Sequence, residues 1–396
     1  MNRISMLGVL MASCAMLATS CAKDNNEAAQ ETVDGKIPVT FSMKTNGLMT
    51  SVTRAPSTTY TADGFRIFAF KQSDDQSQWL FTEELALRNL TFTSTPTGGS
   101  FSGQAYMDEG TYRFIPTYGL DADDTDITIN NFVANAAWDD ASPVLIEHNT
   151  GSMPEIFTLD AGTAGFDGLT NLTVAIGGAN SYSASISRAQ ARVDVLIVRA
   201  TGNQSTYAEE ANATSVFGEK TLETATIQFY GNNTQMNYFG TFVADPNQAG
   251  SIMDYTITGD AVDTDVLIGT AATGATYGTS GYQGYNAVAA ADVLQGAAHL
   301  YGPFMIPNAD ATPTQSATLT FTDTEGTIRT LNVTGIPLQR NYVTIIKIYL
   351  LETGDPSIPI PPDIWSQDVT FAVTMDTQYA GNNTIDGGTI GGQPAS

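Results

Sequence analysis

Catalysis needs nucleophiles, bases or metal ligands, and this chain of 396 residues is poor in the histidines and cysteines that most often supply them. It has two histidines, His148 and His299, and two cysteines, Cys14 and Cys21, both at its N-terminal end. The rest of the chain therefore offers no disulfide, no thiolate zinc site and no thiol nucleophile. Gly99-Ser100-Phe101-Ser102-Gly103 carries phenylalanine where a nucleophile elbow needs serine. Asp121, Asp123, Asp124 and Asp126 bunch like calcium ligands. Asp126 stands where a helix-loop-helix calcium site requires glycine, so the run reads as a solvated acidic turn. Carboxylates are abundant, but spacing sets no pair of them face to face for glycoside hydrolysis. This inventory predicts a protein that is not an enzyme and that uses no cofactor and no metal.

The cysteine with a definite chemistry is Cys21. A basic start at Arg3, an apolar stretch from Ile4 to about Ala18 and then Ser20-Cys21 form an export signal too brief to span a membrane. In a bacterial chain, Leu17-Ala18-Thr19-Ser20-Cys21 resembles a lipobox. Cleavage before Cys21 would make it an acylated N-terminus that anchors the protein to a membrane without crossing it. The charged stretch Ala22-Lys23-Asp24-Asn25-Asn26-Glu27 resembles a surface-export tag of Gram-negative anaerobes. The alternative is a secreted protein whose signal ends in cysteine.

What positions these groups is a β-rich body. The net charge of -25 and a pI near 4.1 exclude electrostatic binding to phosphate backbones, so nucleic acid is not an expected partner. Charged residues make up only 14%, which leaves Thr, Ser, Asn and Gly to supply the polar surface. Short alternating or β-branched runs predict strands at Phe65–Phe70, Thr111–Ile115, Asn171–Ile176, Arg192–Val198, Ala225–Phe229, Ala317–Phe321 and Tyr342–Leu351. With no regular helix between them, they predict antiparallel sandwiches. Short helices are expected near Tyr207–Ala213 and Ala287–Leu294. The turn-forming Gly177-Gly178-Ala179-Asn180 marks a domain boundary within ten residues of 183. Gly259–Gly296 reads as an exposed excursion, and the four prolines of Asp355–Asp363 as a stiff spacer. Tyr277, Tyr282 and Tyr285 within the excursion offer faces on which sugar rings can stack, so a glycan-binding surface lipoprotein is the rival reading.

The two ends of the body resemble each other. Ile37, Val39, Phe41 and Met43 alternate with polar or small residues, and so do Val369, Phe371, Val373 and Met375; both strands contain Val-Thr-Phe. Strands of the same period and similar apolar volume suit the same kind of groove, or each pairs within its own domain. Between the first strand and the body lies the polar loop 50–59 with a single basic residue, Arg54, in the setting of an exposed protease site.

Several motifs together resemble the fimbrillins, the subunits of type V pili. They are the acylatable Cys21, the Ile37–Met43 strand, the loop Thr53-Arg54-Ala55, and Gly64-Phe65-Arg66-Ile67-Phe68-Ala69-Phe70. Further on come Arg188-Ala189-Gln190-Ala191-Arg192-Val193, Tyr301-Gly302-Pro303-Phe304-Met305-Ile306-Pro307-Asn308 and Arg340-Asn341-Tyr342-Val343-Thr344. The resemblance implies two tandem transthyretin-like antiparallel β-sandwich domains. It divides the chain into a signal peptide (1–21), a pro-segment (22–54), an N-terminal sandwich (55–183) and a C-terminal sandwich (184–396). It also implies an outer-membrane lipoprotein precursor, cut by an arginine-specific surface protease between Arg54 and Ala55. Loss of Ile37, Val39, Phe41 and Met43 would then open a groove for Val369, Phe371, Val373 and Met375 of another fimbrillin subunit, building a head-to-tail fimbria that supports adhesion. An uncut anchor or a tip accessory subunit is the variant of this reading.

Overall fold

Period-two alternation of apolar and polar residues dominates the chain and sets its architecture. The computed structural model describes residues 32–46, 62–95, 98–121, 123–140, 145–159, 162–203, 205–241, 252–273, 289–307, 315–351, 363–366, 370–379 and 384–390. Its first strands are β1 (Ile37–Asn46), β2 (Phe65–Gln72), β3 (Trp79–Glu84), β4 (Arg88–Thr95), β5 (Gly98–Met107), β6 (Gly110–Tyr118), β7 (Ile127–Ile129), β8 (Leu145–His148), β9 (Phe157–Leu159), β10 (Leu172–Val174) and β11 (Ser181–Arg188). The remainder are β12 (Ala191–Asn203), β13 (Thr206–Glu210), β14 (Leu222–Tyr230), β15 (Gln235–Asn237), β16 (Ile252–Thr258), β17 (Val266–Ile268), β18 (Ala298–Leu300), β19 (Phe304–Met305), β20 (Gln315–Asp323), β21 (Ile328–Ile336), β22 (Tyr342–Leu351), β23 (Thr370–Tyr379) and β24 (Thr384–Ile390).

The first sheet has nine strands in the order β3-β2-β6-β9-β11-β1-β5-β4, with β10 added on β6. It folds over on itself, because rings from its two halves meet. Phe41 on β1 sits edge-on to Phe114 on β6 at 5.0 Å, and Phe65 on β2 stacks on Phe101 of β5 at 4.9 Å. The second sandwich packs an eight-stranded sheet around β12 and β22 against the four-stranded sheet β16-β14-β20-β21. Val193, Val195 and Ile197 of β12 and Ile346, Ile348 and Leu350 of β22 there share one core with Ile227, Phe229, Leu319, Phe321 and Leu331.

The sandwiches are fused. A further core joins Phe68, Phe70 and Ile115 of the first to Leu196, Val198, Val343 and Tyr349 of the second. A small three-stranded sheet completes the seam by pairing β15 with β8 and β8 with β7.

The all-β sandwich architecture expected from the sequence is present, with four additions. Two strand pairs are parallel, β1 with β11 and β12 with β22. The helix expected near Tyr207–Ala213 is instead β13, which folds back on the end of β12 while Tyr207 packs on Tyr349 at 4.3 Å. Pairing and ring contact outweigh the helix propensity of Ala208, Glu209 and Glu210. Near Ala287–Leu294 the described residues form only a 3-10 turn, Ala290–Asp292, and a short helix falls at Asp260–Asp265. The chain passes from the first sheet to the second at Ala189-Gln190, within ten residues of 183, and Gly177–Asn180 itself is the turn that leads into β11.

Candidate functional site

The groove that holds β1 is where the sequence expectations and the structure meet. Asp34 and Gly35 take left-handed φ values of 53° and 78°, and Val33 and Lys36 exchange two backbone hydrogen bonds across them, so a tight turn delivers the chain into the strand. Ile37, Val39, Phe41 and Met43 then point inward with at most 1% of their surface exposed, while Thr40 and Lys44 face solvent. On one side β1 pairs antiparallel with β5 over its full length, from Ile37–Met107 to Asn46–Gly98. On the other it runs parallel to β11, from Thr40–Ser181 to Asn46–Ser187. The strand is thus central, with both backbone edges engaged.

Its neighbours are aromatic. Phe114 meets Phe41 edge-on and Tyr182 at 4.8 Å, and Phe101 stacks on Phe65. Burial pushes the phenols of Tyr112 and Tyr182 up to about 12, so both stay neutral. At the far end the Thr45 hydroxyl accepts from the Gly99 amide at 2.6 Å and donates to its carbonyl at 3.2 Å. Burying four such side chains is worth on the order of 6–12 kcal/mol gross.

The C-terminal strand is housed within its own chain. β23 lies antiparallel on β22 along its length, with Phe371 opposite Leu350, Val373 opposite Ile348 and Met375 opposite Ile346, and β24 pairs on its outer side. Cys21, Arg54, Ala55 and Val369 lie outside the described residues, as do Tyr277, Tyr282 and Tyr285.

Two of the motifs that carry the fimbrillin resemblance, around Arg188 and Arg340, lie at the seam, where they are structural. Arg188, fully buried, pairs with Glu155. Arg340 donates to the carbonyls of Arg188 at 3.2 Å, Phe239 at 2.8 Å and Leu159 at 3.2 Å, and to the hydroxyls of Thr158 at 2.9 Å and Ser187 at 3.0 Å. One guanidinium therefore ties the β21–β22 loop to β9 and β11. The Asn341 amide donates to the Gln190 carbonyl at 2.8 Å. Sequence inspection singled out these positions without assigning them a task; a long basic side chain beside a turn was the only sign of the clamp.

The two histidines lie in different sheets. His148 on β8 is buried and reaches the Thr150 carbonyl through Nε2 at 3.2 Å, and desolvation lowers its pKa to about 4. His299 on β18 meets the Asp194 carboxylate at 3.1 Å, and Arg192 approaches the same carboxylate at 2.8 Å. Burial pushes Asp194 up, but Arg192 and His299 more than offset it and hold the carboxylate below its usual range. The Gly302 amide also donates to Asp194. Gly302 is required there, because a Cβ would fall 1.5 Å from the Val193 carbonyl oxygen. The cluster is closed to solvent and reads as a packing device. Asp121 and Asp124 each accept a backbone amide two residues on, from Asp123 and Asp126, which makes the acidic run a pair of side-chain-capped turns. Among the described residues no three acidic, histidine or cysteine side chains are grouped to hold a metal ion, and no helix is long and apolar enough to cross a membrane.

No protein-family model and no curated protein matches the chain. Solved structures from Bacteroides species align with it over most of its length at low identity. A candidate adhesin from Bacteroides thetaiotaomicron is 9% identical, covers 87% of this chain and 97% of its own, and has a TM-score of 0.40. A candidate polysaccharide-binding protein from the same species is 8% identical, with coverages of 88% and 98% and a TM-score of 0.38. A candidate cell adhesion protein from Bacteroides uniformis is 11% identical, with coverages of 87% and 98% and a TM-score of 0.36. At such identities and scores the likeness is one of general shape, and no role is taken from it.

Proposed function

We propose that this protein is a structural subunit of an adhesive surface filament, a fimbrillin in kind, exported as an outer-membrane lipoprotein acylated at Cys21. An arginine-specific surface protease cuts between Arg54 and Ala55, β1 leaves, and the terminal strand of a neighbouring subunit takes its place. The observation that supports this reading is the position of β1. It is a central strand with both edges paired and four side chains fully buried, and its link to the rest of the body runs through the segment that holds Arg54. A cut there leaves an inner strand held by noncovalent contacts alone. Its departure would expose two sheet edges and an apolar trough, which an incoming strand satisfies with backbone hydrogen bonds and alternate side chains. Such a contact joins different surfaces of the two partners and does not close, so it propagates as a filament.

The test is the arginine. Arg54→Ala in the full chain should leave folded, surface-anchored monomer and no filament, whereas residues 55–396 made without the leader should form ladders that resist unheated detergent. Filaments on Arg54→Ala cells would refute the cleavage step. A leaderless protein that stays monomeric and shifts only when sugar is added would favour the glycan-binding alternative.

A further inference from the structure

We infer, resting on strand replacement as the mode of assembly, that the incoming strand enters the groove in the direction of β1, with Val369, Phe371, Val373, Met375 and Thr377 in the places of Ile37, Val39, Phe41, Met43 and Thr45. The groove has five inward positions, four of them at most 1% exposed and the fifth, Thr45, at 7% with its hydroxyl on Gly99. The chosen alignment puts an apolar residue in each apolar position, methionine on methionine, and threonine on the Gly99 corner. It spans 369–378, close to the extent of β23, Thr370–Tyr379, which is already extended in the free subunit.

The competing alignments each break a rule. A shift by one residue turns Thr370, Ala372 and Thr374 inward and the apolar set outward. A shift by two superposes the Val-Thr-Phe tripeptides, but it buries Gln367 in the position of Ile37 and forces Met375 onto the Gly99 corner. Reversing the strand matches Phe371 to Phe41, yet it turns the ten-residue antiparallel ladder on β5 into the weaker parallel kind and gains antiparallel pairing only on the shorter ladder along β11. The favoured alignment exchanges valine and phenylalanine between neighbouring inward positions, so the buried volume is conserved but for the one methylene by which Val369 is smaller than Ile37. Phe371 then sits opposite Ala105, where Val39 now sits, and Val373 opposite Gly103. Valine fills the space against Phe114 less fully than Phe41 does. The resident strand therefore holds the groove better than the donor, and assembly waits for cleavage.

The chain has no cysteine beyond Cys14 and Cys21, which precede the cut at Arg54, so paired cysteines report register. Ser102 on β5 is exposed and lies opposite Ser42. In the inferred register Thr374 takes that place; Ala372 takes it after the two-residue shift, and Thr370 in the reversed strand. Directly opposed residues fall at about 4.5–5.5 Å, within disulfide reach, while diagonal ones at about 7–8 Å do not. The full chain carrying Ser102→Cys with Thr374→Cys should form covalent ladders on oxidation and reducing-agent-free denaturing gels. Ladders from Ser102→Cys with Ala372→Cys, or with Thr370→Cys, would overturn the register and leave strand replacement standing. Filaments that assemble with no cross-link in any pair would overturn both. If the paired variants fail to assemble, a peptide of residues 366–379 added to processed wild-type protein decides the matter. Gln367→Ile in that peptide should change its inhibition of ladder growth less than twofold, whereas tightening by about tenfold would place residue 367 in the position of Ile37 and refute the inference.

Discussion

At the scale of single residues, polar groups decide what the apolar cores leave open. Arg340 is the clearest case, since its donors satisfy carbonyl and hydroxyl oxygens on both sides of the seam. Arg340→Ala leaves several of those oxygens without a partner and should lower stability by on the order of 3 kcal/mol or more, read as a shift in denaturation midpoint. Arg340→Lys should recover less than half of the loss, because an ammonium cannot reproduce the planar fork; full recovery would mean that charge alone matters. His148 makes a pH-dependent contribution. Its pKa falls from 6.5 to about 4 on burial, with hydrogen bonds to the backbone of Thr150 and Gly151 and then the Asp124 charge opposing the shift. Between those values the unfolded chain binds a proton that the folded one does not, so the stability present above pH 6.5 is lost as pH falls toward 4. The loss approaches about 3 kcal/mol in total. His148→Gln should flatten that part of the stability curve relative to wild type; parallel curves would exclude the histidine as the source.

Among elements, β1 is the one on which the rest depends. Phe41 packs against both Phe114 and Tyr182 in a fully buried position, so Phe41→Ala should cost the uncut protein about 3–5 kcal/mol. It should also hasten loss of the strand after proteolysis, measured as release of the excised peptide, whereas Thr40→Ala on the exposed side should change neither. Equal release from both variants would show that backbone pairing alone holds β1. This strand was legible in the sequence because a period of two over Ile37–Met43 leaves one choice of buried face. The seven strand seeds named from β-branched alternation likewise all fall on strands. What eluded the sequence was governed by partners distant along the chain. β13 looked helical until the end of β12 was there to pair with it, and the turn at Gly177–Asn180 carried no sign that the strand it leads into, β11, lies beside β1. The parallel pairs β1·β11 and β12·β22 bring together segments far apart along the chain, and local pattern carries no sign of such pairing. Arg340 was visible as a motif residue, but its carbonyl partners on Phe239, Leu159 and Arg188 exist only once the sandwiches meet.

For the whole molecule, the question is whether two sandwiches behave as two domains or as one body. Their sheets are separate, yet one apolar core draws Phe68, Phe70 and Ile115 from the first and Leu196, Val343 and Tyr349 from the second. β15 reaches across to pair with β8, and Arg340 fastens β9 and β11 to the loop before β22. Domains joined by a small polar contact unfold independently, whereas a large apolar seam makes each half the other's solvent shield. Opening the seam alone would expose the buried rings of Phe68 and Phe70 to water, at about 25 cal/mol per Å² of apolar surface. Partial unfolding of one sandwich is therefore disfavoured, and the uncut protein should unfold in a single transition, with calorimetric and van't Hoff enthalpies equal and near- and far-ultraviolet circular dichroism coincident. Two resolved transitions would show that the seam is too weak to couple the halves. A coupled body also fits the proposed filament: the groove lies in one sandwich and the donor strand in the other, so a load passing from subunit to subunit must cross the seam without bending it.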